Sequence, residues 1–274
     1  MSAHAAEVAS GERFRFGENW RRFLEQLDEG RILAAENSLR DMLESGRLDP
    51  LSFLDIGSGS GLFSLAARRL GAQVLSFDYD PQSVACTSEL RRRYFPEDPG
   101  WQVEEGSALD EAYTGRLGRF DIVYSWGVLH HTGAMWQAIG NATRLVAPGG
   151  RLFIAIYNDQ GKTSARWRTV KRLYNRSPAP VRWLLLAASF LRLNGGALFR
   201  GTLRGRPLEA FRSCRLRGMS VWSDLVDWVG GYPFEVASPA AIFDFCRARG
   251  FTLERMTTTH TLGCNQFVFR QPAR

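Results

Sequence analysis

The chain reads as an α/β domain built on a mostly parallel sheet, and three observations predict it. From Leu51 to Tyr157, short apolar runs of strand length alternate with helical patterns, the rhythm of a parallel sheet covered on both faces. The first of those runs ends in a loop with glycine at every second position: Gly57, Gly59 and Gly61. A length of 274 residues, 45% of them hydrophobic, suffices for one large domain or one domain with an insertion.

Residues 1–11 read as a disordered lead. The stretch Phe14–Trp20 opens a helical pattern carried by Trp20, Phe23, Leu24 and Leu27. A second helix from Arg31 to about Glu44 presents Ile32, Ala35, Leu39, Met42 and Leu43 on one face. Strand one is Ser52–Ile56, with a helix over Leu62–Leu70 after it. Strand two, Gln73–Phe77, meets Asp78, after which Asp80-Pro81 caps and starts a helix to about Tyr94. Strand three is Trp101–Glu104 and leads to Gly106-Ser107-Ala108-Leu109. Strand four is Phe120–Ser125, a helix runs from about Met135 to Val146, and strand five is Arg151–Tyr157. Residues 160–235 show helical stretches and no clear strand. Ser238-Pro239 then opens a helix to Arg249, and Phe251–Met256 pairs with about Leu262–Phe269 as a terminal hairpin.

The glycine loop carries the first chemical signal. Glycine lets the backbone turn sharply and lets a ligand approach the main chain. The unpaired N–H groups at the start of the next helix favour an anion. A dinucleotide loop would read G-x-G-x-x-G, but here Leu62 stands where the third glycine belongs. Asp55, at the mouth of the loop, would repel a pyrophosphate and attract the ammonium and sulfonium of S-adenosylmethionine (SAM). Asp78, 21 residues beyond Gly57, can accept hydrogen bonds from ribose hydroxyls in either nucleotide. The loop alone leaves both donors open.

Three segments stand in a telling order: Leu54-Asp55-Ile56-Gly57-Ser58-Gly59-Ser60-Gly61, Phe120-Asp121-Ile122-Val123 and Leu145-Val146-Ala147-Pro148-Gly149-Gly150. In them the chain resembles the class I SAM-dependent methyltransferases. The segment Ser125-Trp126-Gly127-Val128-Leu129-His130-His131-Thr132 is similar to that of the small-molecule O-methyltransferases of ubiquinone biosynthesis. The resemblance implies a Rossmann-like, seven-stranded, mostly parallel sheet ending in an antiparallel hairpin. It divides one domain into a helical cap (1–50), a SAM-binding core (51–159), a helical lid insertion (160–235) and a final helix and hairpin (236–274). It also implies SAM as cofactor, S-adenosylhomocysteine (SAH) as product, and contacts from Asp55, Gly57, Ser58, Gly59, Gly61, Asp78, Tyr79, Ser107, Ala108, Ser125 and Trp126. Many members have aspartate where Ser107 stands, so a hydroxyl or backbone group replaces that contact here. Phe16, Asn19 and Trp20 fall where the family caps its cofactor.

A hydroxyl acceptor must lose its proton, and an imidazole with pKa near ~6.5 suits that task. His131 is the preferred base and His130 its neighbour in support; His4 and His260 lie elsewhere in the pattern. Tyr157 and Asn158, after strand five, and Trp228 and Tyr232, in an aromatic glycine-rich loop, are candidate acceptor contacts. No acidic cluster suggests a metal, and Cys86, Cys214, Cys246 and Cys264 form no C-x-x-C pair.

Net charge is +7, but residues 160–220 hold 14 Lys and Arg against the single acid Glu209. Within them Val181–Arg192 is more apolar than a surface helix requires. The first reading is a lid helix buried against the core or a dimer partner, with solvated arginines around it. The second is peripheral contact with an anionic membrane, or an acceptor with a lipid tail or phosphate. No nucleic-acid recognition motif is present. With no signal-peptide core and no spanning run, a cytoplasmic location is expected. The expected function is O-methylation of a small or lipid-linked acceptor. The alternatives are N-methylation of an amine or aminosugar, and a membrane-surface protein of this fold without turnover.

Overall fold

Strand β1 (Ser52–Ile56) sends alternate side chains into two different cores, as a period of two requires. Phe53 enters one face with Ile32, Leu39, Leu65, Tyr124 and Phe153. Leu54 and Ile56 enter the other with Leu129, Ile139, Ile154, Phe267 and Phe269. The same alternation recurs along the other central strands, so the sheet is buried on both sides. The computed structural model describes residues 3–203 and 221–273.

The strands are β1, β2 (Gln73–Asp78), β3 (Trp101–Glu105), β4 (Phe120–Trp126), β5 (Val146–Tyr157), β6 (Thr252–Thr257) and β7 (Cys264–Arg270). Their order is β3-β2-β1-β4-β5-β7-β6, parallel through β5, with β7 antiparallel to both β5 and β6. The direction of winding reverses between β1 and β4, which opens a crevice beyond their carboxyl ends.

The helices are α1 (Ala3–Ala9), α2 (Phe16–Glu25), α3 (Glu29–Leu43), α4 (Leu62–Arg69), α5 (Pro81–Tyr94), α6 (Glu111–Arg116) and α7 (Met135–Arg144). In the insertion lie α8 (Lys162–Arg176), α9 (Ala179–Leu203) and α10 (Val221–Gly230), and α11 (Pro239–Arg247) precedes the hairpin. Capping obeys the sequence. Asp28, Asp80, Asp110 and Ser238 each accept a backbone N–H from the first turn of the helix they open.

Two differences from expectation matter. The amino-terminal stretch is not a disordered lead: α1 packs His4 against Tyr79 and beside Asp80, 3.7 Å away. Its alanines give it helix propensity, but docking on the end of β2 is what makes so short a helix stable. Helix α6 is the second addition, and Asp110 is a strong cap for it.

The insertion has its own apolar cluster of Trp167, Tyr174, Leu186, Leu225, Val229 and Phe234. Helix α9 seats Leu186 and Ser189 inward but leaves Trp183, Leu184 and Leu191 at 61%, 70% and 64% exposure. Among its described side chains, helix α9 is therefore apolar on both sides, with one of those sides buried. Arg204, Arg206, Arg212, Arg215, Arg217 and Cys214 lie outside the described residues. Among those described, no helix is long and apolar enough to cross a membrane.

Candidate active site

At the reversal point the β1 loop and the β4 loop touch. Gly57, Gly59 and Gly61 all have positive φ, at 77°, 56° and 81°. A Cβ on Gly57 would fall 2.3 Å from Val128, and one on Gly59 would fall 3.0 Å from the Trp20 indole. Glycine is therefore required both for conformation and for clearance. Gly61 gives the start of α4 no side-chain cap, and Leu62 N makes only a long bond, 3.4 Å, to Ser60 Oγ, which leaves this end of the helix suited to an anion.

Asp78 closes the other side of this cradle. Its carboxylate accepts from Gly59 N and Asp80 N, both at 2.9 Å. Burial, opposed by those backbone bonds, raises its pKa to about 6. Ser58 bonds Thr87 through their hydroxyls at 2.9 Å, tying the loop to α5. Above lie the N-terminal helices: Gly17 N donates to Asp80 at 2.8 Å, and the Tyr79 hydroxyl donates to Glu7 at 3.1 Å. Trp20 thus covers the glycine loop while α1 covers the end of β2.

Asp55 does not face the loop mouth. It is 2% exposed and accepts from Ser64 Oγ at 2.5 Å. Ser76 Oγ bonds Ser64 at 2.7 Å, and Trp101 Nε1 donates to Ser76 at 2.9 Å. This relay fastens β1, α4, β2 and β3 beneath the loop, so Asp55 holds the cradle from below. Burial raises the Asp55 pKa to about 7. Between the unfolded value near ~4 and that value, the folded chain binds the extra proton, so this group lowers stability as pH rises. Asp55→Asn is expected to gain stability relative to the wild type between pH 4.5 and 7.5 in urea titrations. An unchanged difference across that range would show that Asp55 does not titrate there.

Several polar candidates turn inward. Ser125 Oγ donates to the Ile56 carbonyl at 2.9 Å, pinning β4 to β1. Asn158 donates to the Thr259 carbonyl at 2.8 Å and accepts from Asn265 at 3.1 Å, fixing the terminal hairpin. Ala108 is a core residue whose carbonyl accepts from Asn141. Ser107 stays half-buried and accepts from Leu109 N at 3.2 Å, while Trp126 is 43% exposed and bonds Gln266. For Ser125 and Asn158 the side chain is engaged within the fold rather than turned to the crevice.

The turn Leu129–His131 brings the two histidines beside Tyr157, Trp228 and Phe234. His131 Nδ1 lies 2.6 Å from the Pro233 carbonyl, which can only accept. The proton therefore sits on Nδ1, and Nε2 keeps its lone pair. Burial lowers the His131 pKa to about 3. Phe16 packs on the His131 ring at 5.0 Å, and Arg13 donates to its carbonyl at 3.0 Å. The His130 ring packs at 4.1 Å and a 44° tilt against Tyr157, and both its buried ring nitrogens are without a protein partner. Burial, then His131 and Lys171, push its pKa well below normal. Tyr232 lies at the rim, where its carbonyl accepts from Phe14 N at 2.9 Å.

Lys171 is not one of the insertion's solvated cations. It is wholly buried in α8, donates to the Trp228 carbonyl, and lies over the Trp228 and Phe234 rings at 4.2 and 4.8 Å. Burial, partly opposed by Asp227, lowers its pKa to about 7. The signal that marks it is spacing: Trp167, Lys171 and Tyr174 share one helical face. Among the described residues no group of His, Cys, Asp and Glu is arranged to hold a metal ion.

This geometry meets its relatives at the same place. The methyltransferase-domain family profile matches residues 54–152, the span from the glycine loop through the histidine turn into β5. The ubiquinone biosynthesis O-methyltransferase of Methylocella silvestris is 32% identical over 135 residues, 49% of this chain and 51% of that protein. That of Xanthomonas axonopodis pv. citri is 33% identical over 129 residues, 46% and 52% of the two. Magnesium protoporphyrin IX methyltransferase from Synechocystis PCC 6803, solved with bound SAH, matches with a TM-score of 0.55. That match covers 93% of each chain at 15% identity, a likeness of fold.

Residues 54–152 thus match a methyltransferase-domain family, and the fold of the chain is that of a class I methyltransferase. The chain spans about half the length of the curated relatives it matches. The cradle fits a SAM-sized ligand on three counts. A loop cleared of Cβ atoms, a helix start with no side-chain cap and the half-buried Asp78 carboxylate converge beyond β1 and β2.

Proposed function

We propose that this protein is a SAM-dependent methyltransferase that transfers a methyl group to a hydroxyl of a small or lipid-linked acceptor, with His131 as general base and without a metal. The observation that carries the reading is the fixed His131 tautomer, Nδ1–H on the Pro233 carbonyl and Nε2 unprotonated, one turn beyond β4. The O-methyltransferase names of the curated relatives support the same acceptor chemistry.

When bound, SAM supplies a methyl group already activated on a sulfonium. The Ser60–Leu62 turn at the start of α4 would hold its carboxylate, Asp78 its ribose hydroxyls, the Ser107 loop its adenine, and Trp20 would close over it. The chain's part in catalysis is then alignment, a contribution of ~7–11 kcal/mol when geometry is right. His131 takes the acceptor proton on Nε2 as the acceptor oxygen receives the methyl group, and the Pro233 carbonyl steadies the imidazolium through Nδ1. His130 offers a hydrogen bond to the acceptor from a ring with no other partner. Tyr157, Trp228 and Tyr232 wall the acceptor, and the insertion 160–235 serves as its lid. A cytoplasmic location, with contact to an anionic membrane through 160–220, fits the basic segment.

Calorimetry tests the donor. SAH is expected to bind with 1:1 stoichiometry and NAD not at all, and turnover is expected to survive chelation by EDTA. Binding of NAD in preference to SAH would overturn the reading, and loss of turnover on chelation would overturn its metal-free form.

A further inference from the structure

Outside the cradle, a cavity of about 400 Å³ opens between α2, α8, α9 and α10. Its wall joins Arg13, Arg15, Arg22 and Arg182 to the apolar side chains Phe14 and Leu186. Glu18, also in the wall, pairs with Arg15 at 3.3 Å, and Arg13 pairs with Glu7 at 2.5 Å. The other two cations are not neutralised. Arg22 donates to Asn19 Oδ1 at 3.5 Å, and Arg182 to the Tyr174 and Asn175 carbonyls at 3.1 Å each. Neither forms an ion pair with a carboxylate among the described residues.

Two aromatic rings, Phe14 and Phe16, separate the cavity from the proposed base. Phe14 packs at 5.0 Å on Phe16, which packs at 5.0 Å on His131. Arg13, in the same wall, donates to the His131 carbonyl. Two unpaired guanidiniums beside an apolar wall select a particular shape of molecule. Guanidinium is weakly hydrated and presents a planar fork that matches carboxylate or phosphate oxygens. The apolar side chains take hydrocarbon or aryl surface from water.

We propose that this groove binds an anionic amphiphile and so defines the acceptor class. Arg22 and Arg182 grip a carboxylate or phosphate, and the apolar body lies along Phe14 and Leu186 toward the histidine turn. The assignment rests on the methyl-transfer reading for its role, though the groove's ligand chemistry can be tested separately.

The test uses the full chain and calorimetry with decyl phosphate and decanoate below their micellar concentrations, against decanol and inorganic phosphate. At least one of the two amphiphiles is expected to bind at least tenfold more tightly than decanol and than inorganic phosphate. Arg22→Gln combined with Arg182→Gln is expected to weaken that binding about tenfold or more, while SAH affinity stays within twofold. Neither amphiphile binding, or equal binding of decanol, overturns the proposal. So does a double variant that keeps the amphiphile but loses cosedimentation with phosphatidylglycerol vesicles, because the arginines would then serve a lipid surface. SAH binding without amphiphile binding sinks the groove alone. Amphiphile binding without SAH binding sinks the methyl-transfer reading alone.

Discussion

Replacing Asp78 with alanine is expected to lower the affinity for SAH by about 100-fold or more. The side chain has two tasks at once. In the free protein it accepts from Gly59 N and so holds the glycine loop in its left-handed turn. On the proposed reading it would also accept from the ribose hydroxyls of a bound ligand, and hydrogen bonds to a charged group contribute ~1.5–3 kcal/mol each. Asp78→Asn keeps the shape but loses the charge and half the acceptor capacity, so it should fall between wild type and alanine. The sign with pH comes from a pKa of about 6 in the free protein. Binding needs the carboxylate, so affinity should be flat above pH 7 and fall as pH drops through 6, and the asparagine variant should lose that slope. Calorimetry between pH 5 and 8 checks both. An alanine variant within threefold of wild type would remove Asp78 from the site.

The second large effect concerns His131. His131→Ala is expected to lower kcat by about 10²-fold with SAH affinity unchanged, the lower end of general-base help, because a ring with so low a pKa is a weaker proton acceptor at neutral pH. Burial brings its pKa down to about 3, so the ring is neutral throughout the physiological range. The kcat profile should therefore lack the fall near pH 6.5 that an exposed histidine would impose, and remain level down to about pH 5. A variant that keeps most of its kcat would redirect the reading toward an amine acceptor, which needs no base at this step. His130→Ala should act differently, raising KM more than it lowers kcat, because its ring nitrogens have no protein partner through which to relay a proton.

The sheet was legible because its signal is redundant. Each of Phe53, Leu54, Phe153 and Ile154 belongs to a short apolar run, and the period of two sends them to opposite cores whatever their neighbours are. The glycine cradle was legible for a similar reason, since positive φ leaves few residue choices. What a side chain touches was less readable. Asp55 and Asn158 have the composition of ligand contacts, yet their partners, Ser64 and the Thr259 carbonyl, are set by three-dimensional packing. Lys171 carries a charge that composition assigns to solvent, while its place between Trp167 and Tyr174 assigns it to the interior. Helix α1 is hard to see in the sequence because its stability comes from Tyr79 and Asp80, about seventy residues away along the chain.

That amino-terminal cap has a bearing on timing as well as on shape. Through Gly17 and Trp20 it rests on the donor cradle, and through Arg13 and Phe16 it rests on the histidine turn. One cap therefore touches both the glycine loop and the histidine turn. On the proposed reading, a donor that leaves past α1 and α2 would do so only when the wall beside His131 moves as well, which would tie donor exchange to the interval between catalytic rounds.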